Sequence, residues 1–279
     1  MANAADIFAE ANLLQKQLLD QLATAPIVDL LGVVSPNGVT GGRSRGEELW
    51  TLRLAFDAWR IHGGGVETRR LTVRRKVTDQ ELAQFRGVIR PYMVIRIRAR
   101  VVSASACGGP EALLETFVGR EDSDAELNAH AIQLQKPVNC EDPVFGTFTL
   151  DRRIDWFTGS AVWKGGSVAL HLSARAPAEV QAALTTAHRL WQTQDGWDQR
   201  IRDCAARILL PLKNESWLGE DEAEVTADQF KQRMKLESIT VHPDGSLEFS
   251  HTDGDLFWVH SIQVTGTISE GPTDAEIAG

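Results

Sequence analysis

The sequence predicts an α+β protein: a small β-barrel-like domain, OB-like in its order of elements, followed by an α+β domain of antiparallel sheet with packed helices. Three observations carry this reading. Period-two alternation recurs through residues 26–140, with one short helix interrupting the strands. From Phe145 onward the pattern runs strands, helices, then strands joined by Pro-Asp-Gly and Asp-Gly turns. A length of 279 residues exceeds one average domain and falls short of three. The expected layout is an amphipathic helix at 1–25, a β-rich domain at 26–140, an α+β domain at 141–269 and a loose tail at 270–279.

At the start, Ile7, Ala11, Leu14, Leu18 and Leu22 recur at three- and four-residue steps, one apolar stripe of a helix over 4–24. Such a helix docks on its own domain or joins two copies of the chain through a short heptad-like seam. Ile27–Val34 is an apolar strand ended by Pro36-Asn37-Gly38. Leu52, Leu54, Phe56 and Ala58 alternate with Arg53, Ala55, Asp57 and Trp59, and Leu71, Val73 and Val77 alternate with Arg70, Thr72, Arg74 and Lys76. Thr78 and Glu81 form a capping box that opens a helix with Leu82, Phe85 and Ile89 inward. Val94–Val102 is a strand with Arg96, Arg98 and Arg100 on its polar side, and Ala112–Val118 is a further strand. Three strands, a helix and two strands is the order of an OB barrel. Asp122–Leu134 reads as a helix and Lys136–Pro143 as the interdomain linker.

In the second half, Phe145–Leu150, Ile154–Trp163 and Val168–Ala174 read as strands. A helix follows from Pro177 to about Gln194, proline being tolerated in the first turn. Asp195 is the expected N-cap of the next helix, which carries Trp197, Ile201, Cys204 and Ile208 on one face. Thr226–Gln229 is a second capping box. Ser238–His242, Leu247–Thr252 and Asp255–Ile268 complete an antiparallel meander.

Composition excludes several classes. With 43% hydrophobic and 24% charged residues the chain is ordinary globular material, and no apolar run approaches the ~20 residues of a membrane span. Cys107, Cys140 and Cys204 are too far apart for a metal knuckle and odd in number, so reduced, buried thiols of a cytoplasmic protein are expected. No phosphate loop, Rossmann fingerprint, nucleophile elbow or zinc-protease motif is present, and no cofactor or resident metal is implied.

Charge is uneven. The net charge is −9, yet residues 51–100 hold 12 Lys+Arg against 4 Asp+Glu, and residues 141–279 hold 12 against 22. Arg53, Arg70, Arg74, Lys76, Arg96, Arg98 and Arg100 all fall on the non-core parity of their strands, and Trp59 shares the parity of Arg53. One basic sheet face is therefore expected. It suits an acidic protein surface, in this chain's own second domain or in a partner. It also suits single-stranded nucleic acid, with Trp59 stacking a base, or plain solvation with cross-strand ion pairs. A non-catalytic protein-interaction module is the leading reading.

Asp253, Asp255 and His260 are the sharpest candidate for a metal-dependent enzyme, since two carboxylates and an imidazole can ligate a divalent cation. On a regular strand, however, Asp255 and His260 point to opposite faces, and Asp253 is explained as a turn residue. The acidic stretch Glu220–Asp228 lacks calcium-loop spacing and reads as a solvated helix start. Trp191, Trp197 and Trp258 sit at apolar-face positions and are expected in the core; Trp217 is the better contact residue.

Several motifs follow one another in this half: Phe148–Arg153 with Trp156, Trp197-Asp198, Leu212–Trp217, Met234–Ile239, Asp253–Trp258 and His260-Ser261-Ile262. On these, Phe145–Ile268 resembles an uncharacterised bacterial family, domain-of-unknown-function twenty-two sixty-two. The resemblance implies no activity and no catalytic residues. It does imply a small residue, usually glycine, before His260, where this chain has Val259.

Overall fold

In a computed structural model the structure describes residues 4–279, with side chains from residue 9 onward, so Ile7 of the helical stripe lies outside the described side chains. The chain divides into two compact units, Met1–Lys136 and Pro137–Gly279.

The first unit contains α1 (Ala4–Thr24), β1 (Ile27–Val34), β2 (Thr40–Gly42), β3 (Trp50–Ile61), β4 (Leu71–Val77), α2 (Asp79–Val88), β5 (Val94–Val102), β6 (Glu111–Arg120) and α3 (Ala125–Gln135). The strands run in the order β1-β5-β6-β4-β3-β2, and β1 also pairs with β3. Five strands thereby close a barrel, and β2 adds to β3 outside the ring. All pairs are antiparallel except β4 with β6. The Thr78 capping box is present: Glu81 N donates to Thr78 Oγ1 at 3.2 Å and Thr78 N to Glu81 Oε2 at 2.8 Å.

The inward parity of the strands fills the barrel with Leu30, Leu54, Phe56, Val73, Ile97 and Leu114. Phe56 lies so close to β1 that a Cβ on Gly32 would stand 2.3 Å from its ring, so the barrel closes here only over glycine. Leu18 and Leu22 of α1 are fully buried, and Arg100 Nη1 donates to the carbonyls of Ala23 and Ala25 at the helix end. α3 covers a second small cluster outside the ring, where Leu127 and Ala131 meet Leu31, Val33, Ala58 and Val94.

A β-bulge corrects one expectation. β1 pairs Val33 with Ala58 and then Val34 with Phe56, leaving Asp57 as the extra residue. The bulge flips the parity beyond it. Ala58 therefore turns toward α3, and Trp59 turns into the barrel, 1% exposed, where its Nε1 donates to Arg69 O at 2.8 Å. Trp59 is a core residue and not a stacking platform beside Arg53.

The second unit contains β7 (Asn139–Asp142), β8 (Gly146–Asp151), β9 (Trp156–Trp163), β10 (Gly166–Leu172), α4 (Pro177–Gln192), α5 (Gln194–Ser216), α6 (Ala227–Arg233), β11 (Lys235–Val241), β12 (Ser246–Thr252), β13 (Ser261–Thr267) and β14 (Gly271–Ala278). They form one eight-stranded sheet in reverse chain order. The expected antiparallel sheet is two antiparallel meanders, β7–β10 and β11–β14, joined by a parallel β10–β11 pair. The helical crossover returns the chain to the same end of the sheet, which makes that pair parallel.

Other boundaries move for local reasons. Part of the expected linker is the edge strand β7, and the expected tail is β14, whose Ala275 is buried while Asp274 and Glu276 face outward. Such charges and Pro272 are ordinary on an edge. Thr193 rather than Asp195 is the N-cap of α5, with Asp195 in its first turn. The expected strand from Asp255 shortens to begin at Ser261. One sheet face, with Leu170, Ile239, Phe249 and Val264, packs under Val180, Leu184, Trp197, Ile201 and Leu209. The three thiols are free, but only Cys204 is buried; Cys107 is exposed and Cys140 half-buried.

Candidate functional site

The barrel does bring the predicted basic residues onto strand faces, and most meet an acid there. Arg70 pairs with Asp57 at 3.2 Å, Arg74 with Glu111 at 2.9 Å and Lys76 with Glu47 at 2.9 Å. Arg96 and Arg98 share Asp29 at 3.2 and 3.8 Å, and Arg100 holds Glu115 at 2.6 Å. Arg53 alone of the seven has no ion-pair carboxylate among the described residues. Arg74 and Glu111 are nearly buried together, and burial raises the Glu111 carboxyl despite the guanidinium. The acids Asp29, Glu47, Glu111 and Glu115 lie outside residues 51–100, so a count along the chain misses the neutralisation that the sheet performs across strands.

In the second unit the motifs at 212–217 and 253–262 converge on one loop. Asp253 is buried, and its carboxylate accepts Phe257 N at 2.6 Å and Asp255 N at 3.3 Å. It holds its own turn closed. Arg233 O would stand 2.5 Å from a Cβ on Gly254, which has φ +56°, so glycine is required there. Leu256 and Phe257 drop into the core. Trp258 and Val259 then turn outward, 60% and 90% exposed, with φ of +54° and +75°. Left-handed backbone is costly for a β-branched residue, which explains why glycine suits the Val259 position. Trp258 is thus on the surface rather than in the core.

The loop rests on Trp217, the C-cap of α5, whose ring lies 5.6, 5.0 and 5.4 Å from those of Phe257, Trp258 and His260. His260 is bonded through Nδ1 to Phe257 O at 2.6 Å. Beneath Trp217 the fully buried Lys213 donates to Trp217 O at 2.7 Å and to Glu222 Oε2 at 2.6 Å. The Lys213 ammonium holds the Glu222 carboxyl below its ordinary range. Asn214 clamps Val225 through both backbone groups at 2.9 and 3.1 Å. Asp253, Asp255 and His260 therefore serve the loop, and no three His, Cys, Asp or Glu among the described residues lie together as a metal set.

Sequence reasoning missed a polar ladder on the sheet face away from the helices. Registers align Asn139, Thr149, Thr158, His171, Thr240, Glu248, Thr265 and Asp274 in one row across all eight strands. Beside it, His242 Nε2 meets Glu248 Oε1 at 2.9 Å, Gln263 donates to Glu248 Oε2 at 2.9 Å, and Trp156 lies 6.2 and 6.4 Å from the His171 and His242 rings. Burial lowers the His171 pKa. Within this face Thr149 bonds Asn139, Thr158 bonds His171, and Glu248 bonds His242 and Gln263. The signal was there in the polar parity of Thr158, His171, Thr240 and Glu248, but it aligns only once register is known.

Residues 142–277 match the family described as an uncharacterized protein conserved in bacteria (DUF2262), and residues 15–134 match a second family described as a domain of unknown function (DUF7021). No curated protein and no solved structure matches the chain. Among the described residues no helix is long and apolar enough to cross a membrane.

Proposed function

We propose that this protein is a non-catalytic, cytoplasmic protein-interaction module, with an OB-like barrel as scaffold and the Trp217–Trp258 loop as its contact surface. Closure of β1 on β3 and β5, with β4 parallel to β6, supports the OB-like reading of the barrel. Three free thiols support a reducing compartment. One observation carries the function: an aromatic and an aliphatic side chain are pushed into solvent by left-handed backbone and braced from below by Trp217 and by the buried Lys213 bonded to a half-buried Glu222. Strain of this kind persists where surrounding structure enforces it, and exposed tryptophan is characteristic of binding hot spots. The partner is a protein offering an apolar pocket with a basic rim. Asp255 and the adjoining Glu220, Asp221 and Glu224 are exposed, and the Lys213–Glu222 bond anchors that acidic stretch beside Trp217.

The test is affinity capture with the full chain from its native host, followed by titration of the purified partner against wild type and Trp258→Asp. Binding lost in Trp258→Asp, with unchanged circular dichroism, supports the reading. Equal affinity of the two forms, or no partner retained by wild type, overturns it.

A further inference from the structure

A groove of about 270 Å³ lies on the barrel's outer face, lined by Ser35, Thr40, Arg53, Ala55, Arg70 and Thr72. Its charges are arranged awkwardly for an empty surface. Arg53 stands directly opposite Arg74 in the β3–β4 register, a like-charge cross-strand pair that is unfavourable on its own. Arg74 is compensated by Glu111, at 2.9 and 3.2 Å. Arg70 is compensated by Asp57. Arg53 has no carboxylate at ion-pair distance among the described residues and feels only the more distant charge of Glu111, which Arg74 already holds.

A second observation is independent of charge. Ser35 is 1% exposed, and its hydroxyl has no hydrogen-bond partner. Its backbone N donates to Ala55 O at 2.8 Å, which pins the residue at the groove. A buried hydroxyl without a partner is costly, and an acceptor placed in the groove would remove that cost.

We propose that this groove is a binding site for a small phosphate group, inorganic phosphate or a phosphate monoester, with Arg53 as its principal cation and Ser35 as a hydroxyl donor. The site presents a guanidinium from β3 and a hydroxyl from the end of β1, converging from different directions, which suits a tetrahedral oxyanion better than a planar carboxylate. A phosphate here also adds a second negative charge to the lone Glu111 carboxylate that acts on both Arg53 and Arg74. A nucleic-acid backbone is the weaker fit, because Arg74, Arg96, Arg98 and Arg100, which would follow successive phosphates, are already held by acids.

Isothermal titration of the full chain with inorganic phosphate, at ionic strength fixed with chloride, tests the site. Saturable binding is expected in wild type and in Arg98→Gln, and affinity should fall at least about tenfold in Arg53→Gln. Ser35→Ala should weaken binding several-fold while leaving the unliganded melting temperature equal or higher, since it removes an unsatisfied hydroxyl. The proposal is overturned by absence of saturable binding in wild type, by equal affinity in Arg53→Gln, or by equal losses in Arg98→Gln and Arg53→Gln. A short single-stranded oligonucleotide without terminal phosphate forms the last arm. If it binds through Arg53 where inorganic phosphate does not, the groove reads nucleic acid and the proposal fails.

Discussion

The two units solve opposite surface problems. The barrel unit collects arginines and pairs all but Arg53 of those on its predicted basic face with acids, Asp29 serving both Arg96 and Arg98, while hiding Trp59 inside. The sheet unit keeps a large excess of acid, 22 Asp+Glu against 12 Lys+Arg over residues 141–279, and pushes Trp258 out. What looks in sequence like a basic binding face is mostly internal chemistry, and what looks like a core tryptophan is the exposed feature. Charge counted along a chain and charge counted across a sheet are different quantities, and only the second is seen by a ligand.

The contrast between the tryptophans gives the largest expected effect. Trp59→Ala should cost about 3–5 kcal/mol in urea unfolding, because it empties the barrel core and orphans Arg69 O. Trp258→Ala should change stability by less than about 1 kcal/mol. Equal costs would break the comparison.

The next effect lies in the sheet unit and depends on pH. His251 is fully buried facing the core, and burial, reinforced by Arg202, outweighs its backbone contacts to Phe249 and Ile262 and depresses its pKa to about 4. An unfolded histidine titrates near 6.5. The unfolded chain therefore takes up the proton first as pH falls, and stability declines between pH 6.5 and 4 by up to about 3 kcal/mol, with no loss above that window. His251→Leu should flatten this decline in urea titrations at pH 7, 5.5 and 4.5. A slope unchanged from wild type would mean that the imidazole is hydrated.

Smallest is Val259→Gly. Relief of the left-handed valine, offset by glycine's greater unfolded freedom, should raise stability by about 0.5–1 kcal/mol in the same unfolding assay. A loss instead would show that the Val259 side chain packs on its own surroundings.

Much of the fold is legible from residues alone because local rules act there. Thr78 and Thr226 both cap helices through the boxes their spacing predicts. The alternation of β3 holds as far as Phe56 and fails at Asp57, because a bulge leaves no sign in an alternating pattern until the partner strand is known. Edge strands are the other gap: β7 and β14 are short or rich in Pro, Asp and Glu, the same features that mark loops. In the loop, the glycine expected before His260 pointed to the φ that Val259 adopts. The burial of Lys213 gave no signal, since lysine is ordinarily a surface residue. Groove residues Ser35 and Arg53 come together only through closure of β1 onto β3.

The parallel β10–β11 seam has a consequence for how the second unit is made. Each meander is built from neighbours in sequence and can zip as successive hairpins, whereas the seam joins strands separated by the whole helical crossover, residues 173–234. Contacts of high sequence separation form slowly. During synthesis the first meander therefore waits with the edge of β10 bare until β11 has been made. Pulse-labelled hydrogen exchange should find the β10–β11 amides protected last, and slowing the crossover should lengthen the interval in which that edge can capture the wrong strand.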